Sequence, residues 1–348
     1  MAAYISFQPS DFFSTTLYTG TGAELAVTGV GFEPNFTWIK DRDGLGYHNL
    51  FDTARGATKR IFSNVTNAEN TEAQSLKSWQ SDGFTVGTHA DCNTSGDDLV
   101  SWNWKAGTTT GLSGGTITPT AYSINTTSGF SAIAYTGNAS AGATVPHGLG
   151  VVPEMMIVKC LNGTTDWNVY HKDTHSTPED YILVLNTAAA RADNNVSWND
   201  TAPTSTVFTL GGGGDTNVNT NTYIAYCFAG KKGYSQFGSY EGNGNADGPF
   251  IYTGFRPAFV MIKCASRAGT DDWRLFDDKR LGYNVNNESL SPNTTAIERT
   301  VDEIDLLSNG FKLRYTATDT NPSGETVIYA AFAEFPFVSS NSKPGTAR

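Results

Sequence analysis

Two histidines at helical spacing form the strongest metal-binding pattern in the sequence. His171 and His175, in the stretch HKDTH, are four residues apart, a spacing that brings two imidazoles to one side of a helix. Thr, Ser and Pro follow, and internal similarity described below places the stretch just after a strand. On a strand or turn the two rings do not converge. The pattern therefore predicts no metal site, and we expect neither a metal nor a cofactor.

A second stretch resembles a calcium loop but departs from it. In DRDGLGYHNLFD (41–52), Leu45 fills the fifth position and Asp52 the twelfth. Calcium loops need an oxygen ligand at the fifth position and a bidentate Glu at the twelfth. The sequence therefore favours a solvated turn at this place.

Four aspartates lie close to Trp273 and could supply acid–base chemistry. They form the pairs Asp271–Asp272 and Asp277–Asp278, and a catalytic pair would have to converge across a cleft. Similar segments elsewhere in the chain carry Trp167 or His48 in place of Trp273, and their acidic residues differ. No HExxH motif occurs in the sequence. We predict no catalytic residues and a protein that is not an enzyme.

The composition predicts the elements that carry these residues. The 348 residues are 39% hydrophobic, 12% aromatic and only 16% charged, with abundant Gly, Thr, Asn and Ser, which is typical of β-structure with turn-rich connections. The best helical candidate is the short stretch TEAQSLKSW (71–79). The four cysteines, in no metal-binding spacing, are expected to be small buried residues without disulfides.

Charge and hydropathy exclude some partners. The net charge is −11 and the basic residues form no block, which argues against nucleic-acid binding and against an anionic membrane surface. No apolar run approaches the roughly 20 residues that span a bilayer. The N-terminal sequence lacks the pattern of a signal peptide.

One phrase occurs three times and reveals an internal repeat. GFEPNFTWIKD (31–41), LGVVPEMMIVKC (149–160) and GFRPAFVMIKC (254–264) each place a Pro six residues before a Lys. A Tyr-x-Gly lies upstream of each proline, and a recurring Phe (Phe84, Phe208, Phe311) precedes a final apolar run downstream. Because the spacing holds over five such anchors, we predict three tandem modules.

The predicted architecture is all-β, with three β-sandwich modules of jelly-roll or lectin-like type. The short apolar runs after each proline fit central strands that are buried on both faces. The predicted segments are an N-terminal arm (1–13), module 1 (14–106), a Thr/Gly/Ser-rich linker (107–129), module 2 (130–230), module 3 (231–338) and a C-terminal tail (339–348). The recurring aromatics are expected in cores.

The N-terminal arm is rich in aromatic residues. Tyr4, Phe7, Phe12 and Phe13 lie within a short span that a lone strand cannot bury by itself. Two interpretations stay open: the rings cover the core of module 1, or they dock into a neighbouring subunit as assembly contacts. For the second, a cyclic trimer is favoured, since oligomers are commonly symmetric and a threefold ring is a common closed arrangement.

The sequence resembles tandem β-module virion structural and tail-fibre-like proteins of marine tailed bacteriophages, of cyanophage type. The resemblance is carried by QPSDFFSTTLYTGTG (8–22), GFEPNFTWIKDRDGLGYHNLFDTARG (31–56), SDGFTVG (81–87), YIAYCFAG (223–230), GYSQFGSYEGNGNADGPFIYTGFRPAFVMIKC (233–264) and SNGFKLR (308–314). It covers nearly the whole chain and implies a non-enzymatic particle component.

Two functions are compatible with this resemblance. The first is a tail-fibre or receptor-binding component for host attachment, and the alternative is a capsid decoration, cement or tail connector protein. The expected partners are other virion proteins, further copies of the chain with a trimer favoured, and a glycan or protein receptor on the host surface. The expected location is the surface of a virion assembled in the host cytoplasm, with no nucleic-acid partner and no membrane insertion.

Overall fold

The computed structural model describes residues 5–269, 271–281, 284 and 286–336, and this part of the chain is almost entirely β. The only α-helices in it are the single turns α1 (Ala90–Asn93) and α2 (Asn195–Trp198), and short 3-10 turns cover Pro9–Asp11 and Pro178–Asp180. All strands pair in antiparallel sheets, so the all-β sandwich prediction is confirmed.

Unit 1 contains the first nine strands. They are β1 (Phe13–Thr19), β2 (Leu25–Thr28), β3 (Phe36–Asp41), β4 (Asn49–Asp52), β5 (Lys59–Phe62), β6 (Asn70–Thr71), β7 (Leu76–Gln80), β8 (Gly83–Val86) and β9 (Asp98–Trp104). A six-stranded sheet has the order β1-β9-β3-β4-β5-β6, and a three-stranded sheet has the order β2-β8-β7.

Unit 2 contains the next nine strands. They are β10 (Ala121–Asn125), β11 (Phe130–Thr136), β12 (Ala143–Pro146), β13 (Met155–Cys160), β14 (Trp167–His171), β15 (Tyr181–Val184), β16 (Ala192–Asp193), β17 (Val207–Leu210) and β18 (Thr222–Phe228). The large sheet has the order β10-β11-β18-β13-β14-β15-β16, and β12 pairs with β17.

Unit 3 contains the last eight strands. They are β19 (Ser235–Glu241), β20 (Phe250–Tyr252), β21 (Phe255–Cys264), β22 (Arg274–Asp277), β23 (Asn286–Ser289), β24 (Arg299–Leu307), β25 (Gly310–Leu313) and β26 (Thr326–Pro336). Its two four-stranded sheets have the orders β19-β26-β21-β22 and β20-β25-β24-β23.

The repeated phrase forms a central strand with two apolar faces in each unit. Along β3, Ile39 points into the core of unit 1, whereas Phe36 and Trp38 point the other way. Strands β13 and β21 alternate in the same manner, with period two. The outward faces of the three central strands together form one core between the units, which we call the central core.

The structure differs from the sequence-based prediction in three places. The helical candidate 71–79 is wrong, because Leu76–Gln80 pairs with β8 as a strand. The segment predicted as a linker contributes Ala121–Asn125 to the large sheet of unit 2. Pro257 lies inside β21 at a shift in register, whereas Pro34 and Pro153 each precede their strand by two residues.

The aromatic residues that recur in the sequence are buried, as predicted. Phe84, Phe208 and Phe311 lie in the cores of the individual units. The others lie in the central core: Trp38, Trp104, Trp167, Phe228, Trp273 and Phe332. All four cysteines are buried and free.

Candidate functional site

Three equivalent aromatic rings meet in the middle of the central core. Trp104, Phe228 and Phe332 each end the last apolar run of their unit. The ring centroids of Trp104 and Phe228 are 6.3 Å apart, those of Trp104 and Phe332 are 5.5 Å apart, and those of Phe228 and Phe332 are 5.9 Å apart. The space beside them measures only about 20 Å³, so the centre is closely packed.

A buried lysine of each unit donates to a backbone carbonyl of the unit that precedes it in cyclic order. Each lies on the face of its central strand that carries the side chains of the central core, because it follows them at period two. The Nζ-to-carbonyl pairs between units are Lys40 to Thr295 (3.4 Å), Lys159 to Thr66 (3.1 Å) and Lys263 to Ala188 (2.9 Å). The order is cyclic: unit 1 donates to unit 3, unit 2 to unit 1, and unit 3 to unit 2.

Burial changes the acid–base properties of these lysines. It lowers the pKa of Lys40, Lys159 and Lys263 from 10.5 to about 8, because the ammonium loses its hydration. Carbonyl oxygens replace water around each Nζ atom; Lys159, for example, also donates to Gly163 and Thr165 of its own unit. The lysines therefore act as buried clamps between units.

A second cyclic set of contacts lies at the end of the strand next to each central strand. Asp52 accepts the Tyr226 hydroxyl at 2.7 Å, and Asp277 accepts Nε1 of Trp102 at 3.0 Å. The equivalent residue of unit 2, His171, places Nε2 at 3.1 Å from the Tyr329 carbonyl oxygen of unit 3.

Units 1 and 3 reinforce this contact with the same ion-pair network. Arg55 donates to Asp52 at 2.5 Å and to Glu69 at 3.1 Å. In unit 3, Arg280 makes the corresponding contacts to Asp277 (2.7 Å) and Glu298 (2.9 Å). Unit 2 carries Thr174 and Arg191 at the matching positions, and there Arg191 donates to the Thr174 carbonyl instead.

The indole rings also bridge the units. Trp167 donates to the Phe62 carbonyl at 2.8 Å, and Trp273 donates to the Val184 carbonyl at 3.0 Å. His48 takes the equivalent place in unit 1, where burial lowers its pKa well below 6.5 and the charge of Lys40 adds to the shift.

The sequence reasoning missed a set of buried asparagines that explains the Tyr-x-Gly anchor. Asn93, Asn217 and Asn321 follow the recurring Phe by nine or ten residues. In each unit the asparagine Oδ1 accepts the amide of the residue after the anchor glycine. The anchor tyrosine donates to the carbonyl that precedes the asparagine. This signal was available in the sequence as one more nearly constant spacing.

The histidine pair of the sequence analysis separates in the structure. His171 is buried against unit 3, and burial lowers its pKa to about 3. His175 is half-buried, and its ring packs on Tyr181 with centroids 4.2 Å apart. No group of three His, Cys, Asp or Glu side chains in the described part of the chain is arranged to hold a metal ion.

The aspartates around Trp273 have separate structural partners. Asp271 pairs with Arg267 at 2.5 Å, and Asp272 accepts Nδ2 of Asn293 at 2.7 Å. Asp277 is occupied by Trp102 and Arg280, as described above. These carboxylates therefore hold loops and neighbouring units.

The stretch that resembles a calcium loop is more buried than the predicted solvated turn. The Asp41 carboxylate accepts the amides of Asp43 and Gly44, which closes the turn. Arg42 then pairs with Glu298 of unit 3 at 2.6 Å. The turn is thus part of the contact between units 1 and 3.

Three aromatics of the N-terminal arm contact the other units. Phe13 begins β1 and is buried, with its ring centroid 5.4 Å from that of Phe332. Phe7 and Phe12 are half-buried and pack on Tyr234. Tyr4 lies outside the described residues. The role of these four residues as contacts between subunits stays a prediction.

The sequence GLSGG (111–115) matches the Gly-x-Ser-x-Gly pattern of a nucleophile elbow but does not form one. Ser113 lies in an exposed loop before β10, whereas an elbow places its serine between a strand and a helix.

One family model matches the chain over residues 8–336, and its description is Domain of unknown function (DUF7483). The chain belongs to this family. The DUF7483 match spans all three units, which agrees with their shared central core. Comparisons with curated proteins and with solved structures found no match. None of the helices in the described part of the DUF7483 chain is long and apolar enough to cross a bilayer.

Two surface grooves occupy equivalent junctions of the DUF7483 chain. The groove between units 2 and 3, which we call the 2/3 groove, measures about 590 Å³ and is lined by Glu154, Lys172, Lys231, Lys232, Gln236 and Tyr252. The groove between units 3 and 1, which we call the 3/1 groove, measures about 380 Å³, and its lining includes Asp11, Ala258, Asp278, Lys279 and Glu334. Their equivalence follows from the backbone, since the amide of Lys172 donates to the Glu154 carbonyl as the amide of Asp278 donates to the Ala258 carbonyl. The charged residues that line the 2/3 groove are mostly basic, whereas those that line the 3/1 groove are mostly acidic.

Proposed function

We propose that the protein is a non-enzymatic structural component of a bacteriophage particle that acts in host attachment, as a tail-fibre or receptor-binding part. The observation that carries this proposal is the use of the ionisable side chains. The buried lysines and aspartates at the junctions, together with Arg42, bind other units of the same chain, as they would in a rigid scaffold.

The sequence resemblance to virion proteins supports the same function. The cyclic arrangement adds a physical reason, because three sandwiches around one core give a rigid body whose peripheral loops are free to vary. Binding residues are commonly placed on loops that a rigid scaffold positions.

An attachment experiment tests this proposal. Fluorescently labelled full-length protein is expected to bind host cells and to slow adsorption of the phage in a concentration-dependent way. Labelled protein unfolded by heat serves as the control. Failure of the folded protein to bind cells or compete with the phage would overturn the attachment role.

A capsid decoration, cement or tail connector protein is the second candidate. The threefold repetition within one chain favours it, because such a chain fits a threefold position of a particle without needing three copies. In this case the protein is expected to bind capsids or tails that lack it and to leave host cells unlabelled.

A further inference from the structure

We propose that the 2/3 groove binds an acidic saccharide, that is, a sugar chain carrying carboxylate or sulfate groups. This inference rests on the proposed role in host attachment and names the ligand class of one site. The groove volume of about 590 Å³ lies within the range of small-molecule sites.

The groove concentrates positive charge on a chain whose net charge is −11. Lys172, Lys231 and Lys232 line it together. Glu154 pairs with Lys172 at 2.8 Å, so the lining keeps a net positive charge. Lysine ammonium groups bind carboxylate and sulfate oxygens through charge-assisted hydrogen bonds. The Glu154 carboxylate can accept sugar hydroxyls beside them.

An exposed aromatic surface lies at the edge of the groove. Phe250 and Tyr252 are two residues apart on β20, so their side chains point to the same face of the strand. Phe250 is 46% exposed and Tyr252 is 54% exposed, whereas Ile251 between them is buried. A flat exposed ring suits the C–H face of a sugar ring, and the tyrosine hydroxyl adds a polar contact.

The other two units show that the fold does not need these residues. Strand pairing aligns Tyr252 with Thr28 of unit 1 and with Pro146 of unit 2. Equivalent backbone hydrogen bonds align Lys172 with Thr53 and Asp278. The anchor residues are shared by all units, but Tyr252 and Lys172 have no aromatic or basic counterpart at these aligned positions. They therefore serve a purpose other than the architecture.

The groove chemistry favours a saccharide over a nucleic acid. A nucleic acid is tracked by an extended basic surface that neutralises successive phosphates. Here three lysines share one groove with a glutamate, and the half-buried Gln236 supplies an amide. These cations, together with an amide, a carboxylate and a ring, match a sugar chain with widely spaced charges.

Isothermal titration calorimetry with defined oligosaccharides tests the site. The probes are tetragalacturonate for carboxylate, a sulfated carrageenan tetrasaccharide for sulfate, and maltotetraose as the neutral reference. We expect at least one acidic probe to bind at a single site, more weakly at high salt, and maltotetraose to bind far more weakly.

The variants separate the two grooves. Lys231→Ala is expected to weaken acidic-probe binding by about tenfold or more, because it removes a charge-assisted hydrogen bond. Tyr252→Thr, which installs the residue of unit 1, should also weaken it. Lys279→Ala removes a lysine of the 3/1 groove and should leave the affinity unchanged. Circular dichroism of each variant verifies folding.

The inference is overturned if neither acidic probe binds, if maltotetraose binds equally well, or if Lys279→Ala has the same effect as Lys231→Ala. Such a result together with normal binding of the protein to host cells removes the site and leaves the proposed function standing. If the wild-type protein does not bind host cells, the proposed function itself is overturned.

Discussion

The Nζ atom of Lys159 in unit 2 lies 3.1 Å from the carbonyl oxygen of Thr66 in unit 1. The two residues are separated by 93 positions in the sequence. Lys40 and Lys263 make the same contact at the other junctions. Each lysine thus links its own central strand to a loop between two consecutive strands of a neighbouring unit.

Replacing one lysine clamp should destabilise the whole chain. Lys159→Met removes the ammonium that donates to the carbonyls of Thr66, Gly163 and Thr165, and we expect it to lower the free energy of unfolding by about 1–3 kcal/mol. Urea unfolding measures this loss. The control Lys77→Met removes a surface pair with Glu24 and should change stability by about 0.5 kcal/mol or less. Equal effects of the two variants would contradict the clamp.

His171 should contribute to the pH dependence of stability. Its folded pKa of about 3 lies below the ordinary 6.5, so between these values the unfolded chain binds a proton that the folded chain does not. The contribution of the neutral ring is therefore fully present above pH 6.5 and is lost as pH falls towards 3.

We expect the wild type to lose on the order of 3 kcal/mol more stability than His171→Gln between pH 6.5 and pH 4. Urea unfolding at a series of pH values measures the two slopes. His175→Gln replaces a half-buried histidine whose ring packs on Tyr181 of its own unit, and it should keep the wild-type slope. Identical slopes for wild type and His171→Gln would show that the buried ring is not the source.

The anchor glycine of unit 3 should not tolerate a side chain. A Cβ atom at Gly242 would lie 2.1 Å from the Pro322 carbonyl oxygen, so Gly242→Ala should cost about 1–3 kcal/mol through overpacking. Gly213 has no atom within 4 Å of that position and provides a matched control. Gly213→Ala should be neutral or stabilise by up to about 1 kcal/mol. Thermal unfolding compares the two, and a harmless Gly242→Ala would disprove the close approach.

The aromatic residues of the central core should be as costly to remove as those inside a unit. Phe332→Ala and Phe311→Ala should each lower the free energy of unfolding by about 3–5 kcal/mol. Leu45→Ala, at a position that is 72% exposed, should change it by about 0.5 kcal/mol or less. If Phe332→Ala behaved like Leu45→Ala, the contact between the units would be unimportant for stability.

The N-terminal arm hypothesis calls for full-length variants. Deletion of residues 2–13 would also remove Phe13 from β1, which mixes assembly with folding. The double variant Phe7→Ala, Phe12→Ala leaves β1 intact. The hypothesis predicts that it keeps the wild-type circular dichroism but loses the trimer in light-scattering mass measurements. An unchanged oligomer, or an unfolded chain, would place these rings in the core of their own chain.

The repeat was visible in the sequence because its anchor residues make hydrogen bonds within their own unit. Each anchor tyrosine donates to the carbonyl that precedes the asparagine of its own unit, and the amide after each anchor glycine donates to that asparagine, so the spacing is fixed within each copy. The strand in each copy of the repeated phrase was predicted from an equally local feature, the short apolar run after its proline. Its second apolar face, in Phe36 and Trp38, was also a readable sign that something must cover it.

The identity of the covering partner could not be read from the sequence. Lys40 contacts Thr295 over a separation of 255 residues, and Lys263 contacts Ala188 over 75. No local pattern encodes such pairs, since each requires the relative placement of two whole sheets. The helical candidate at 71–79 failed for a related reason, because pairing with β8 overrode a weak local preference.

Cryo-electron microscopy of the intact phage particle tests the central claim most directly. We predict density for three sandwiches in a cyclic arrangement at the host-facing end of the tail, with the 2/3 groove accessible. Density on the capsid shell would instead support the second candidate. A purified, infectious particle that contains no copy of the chain would contradict the account.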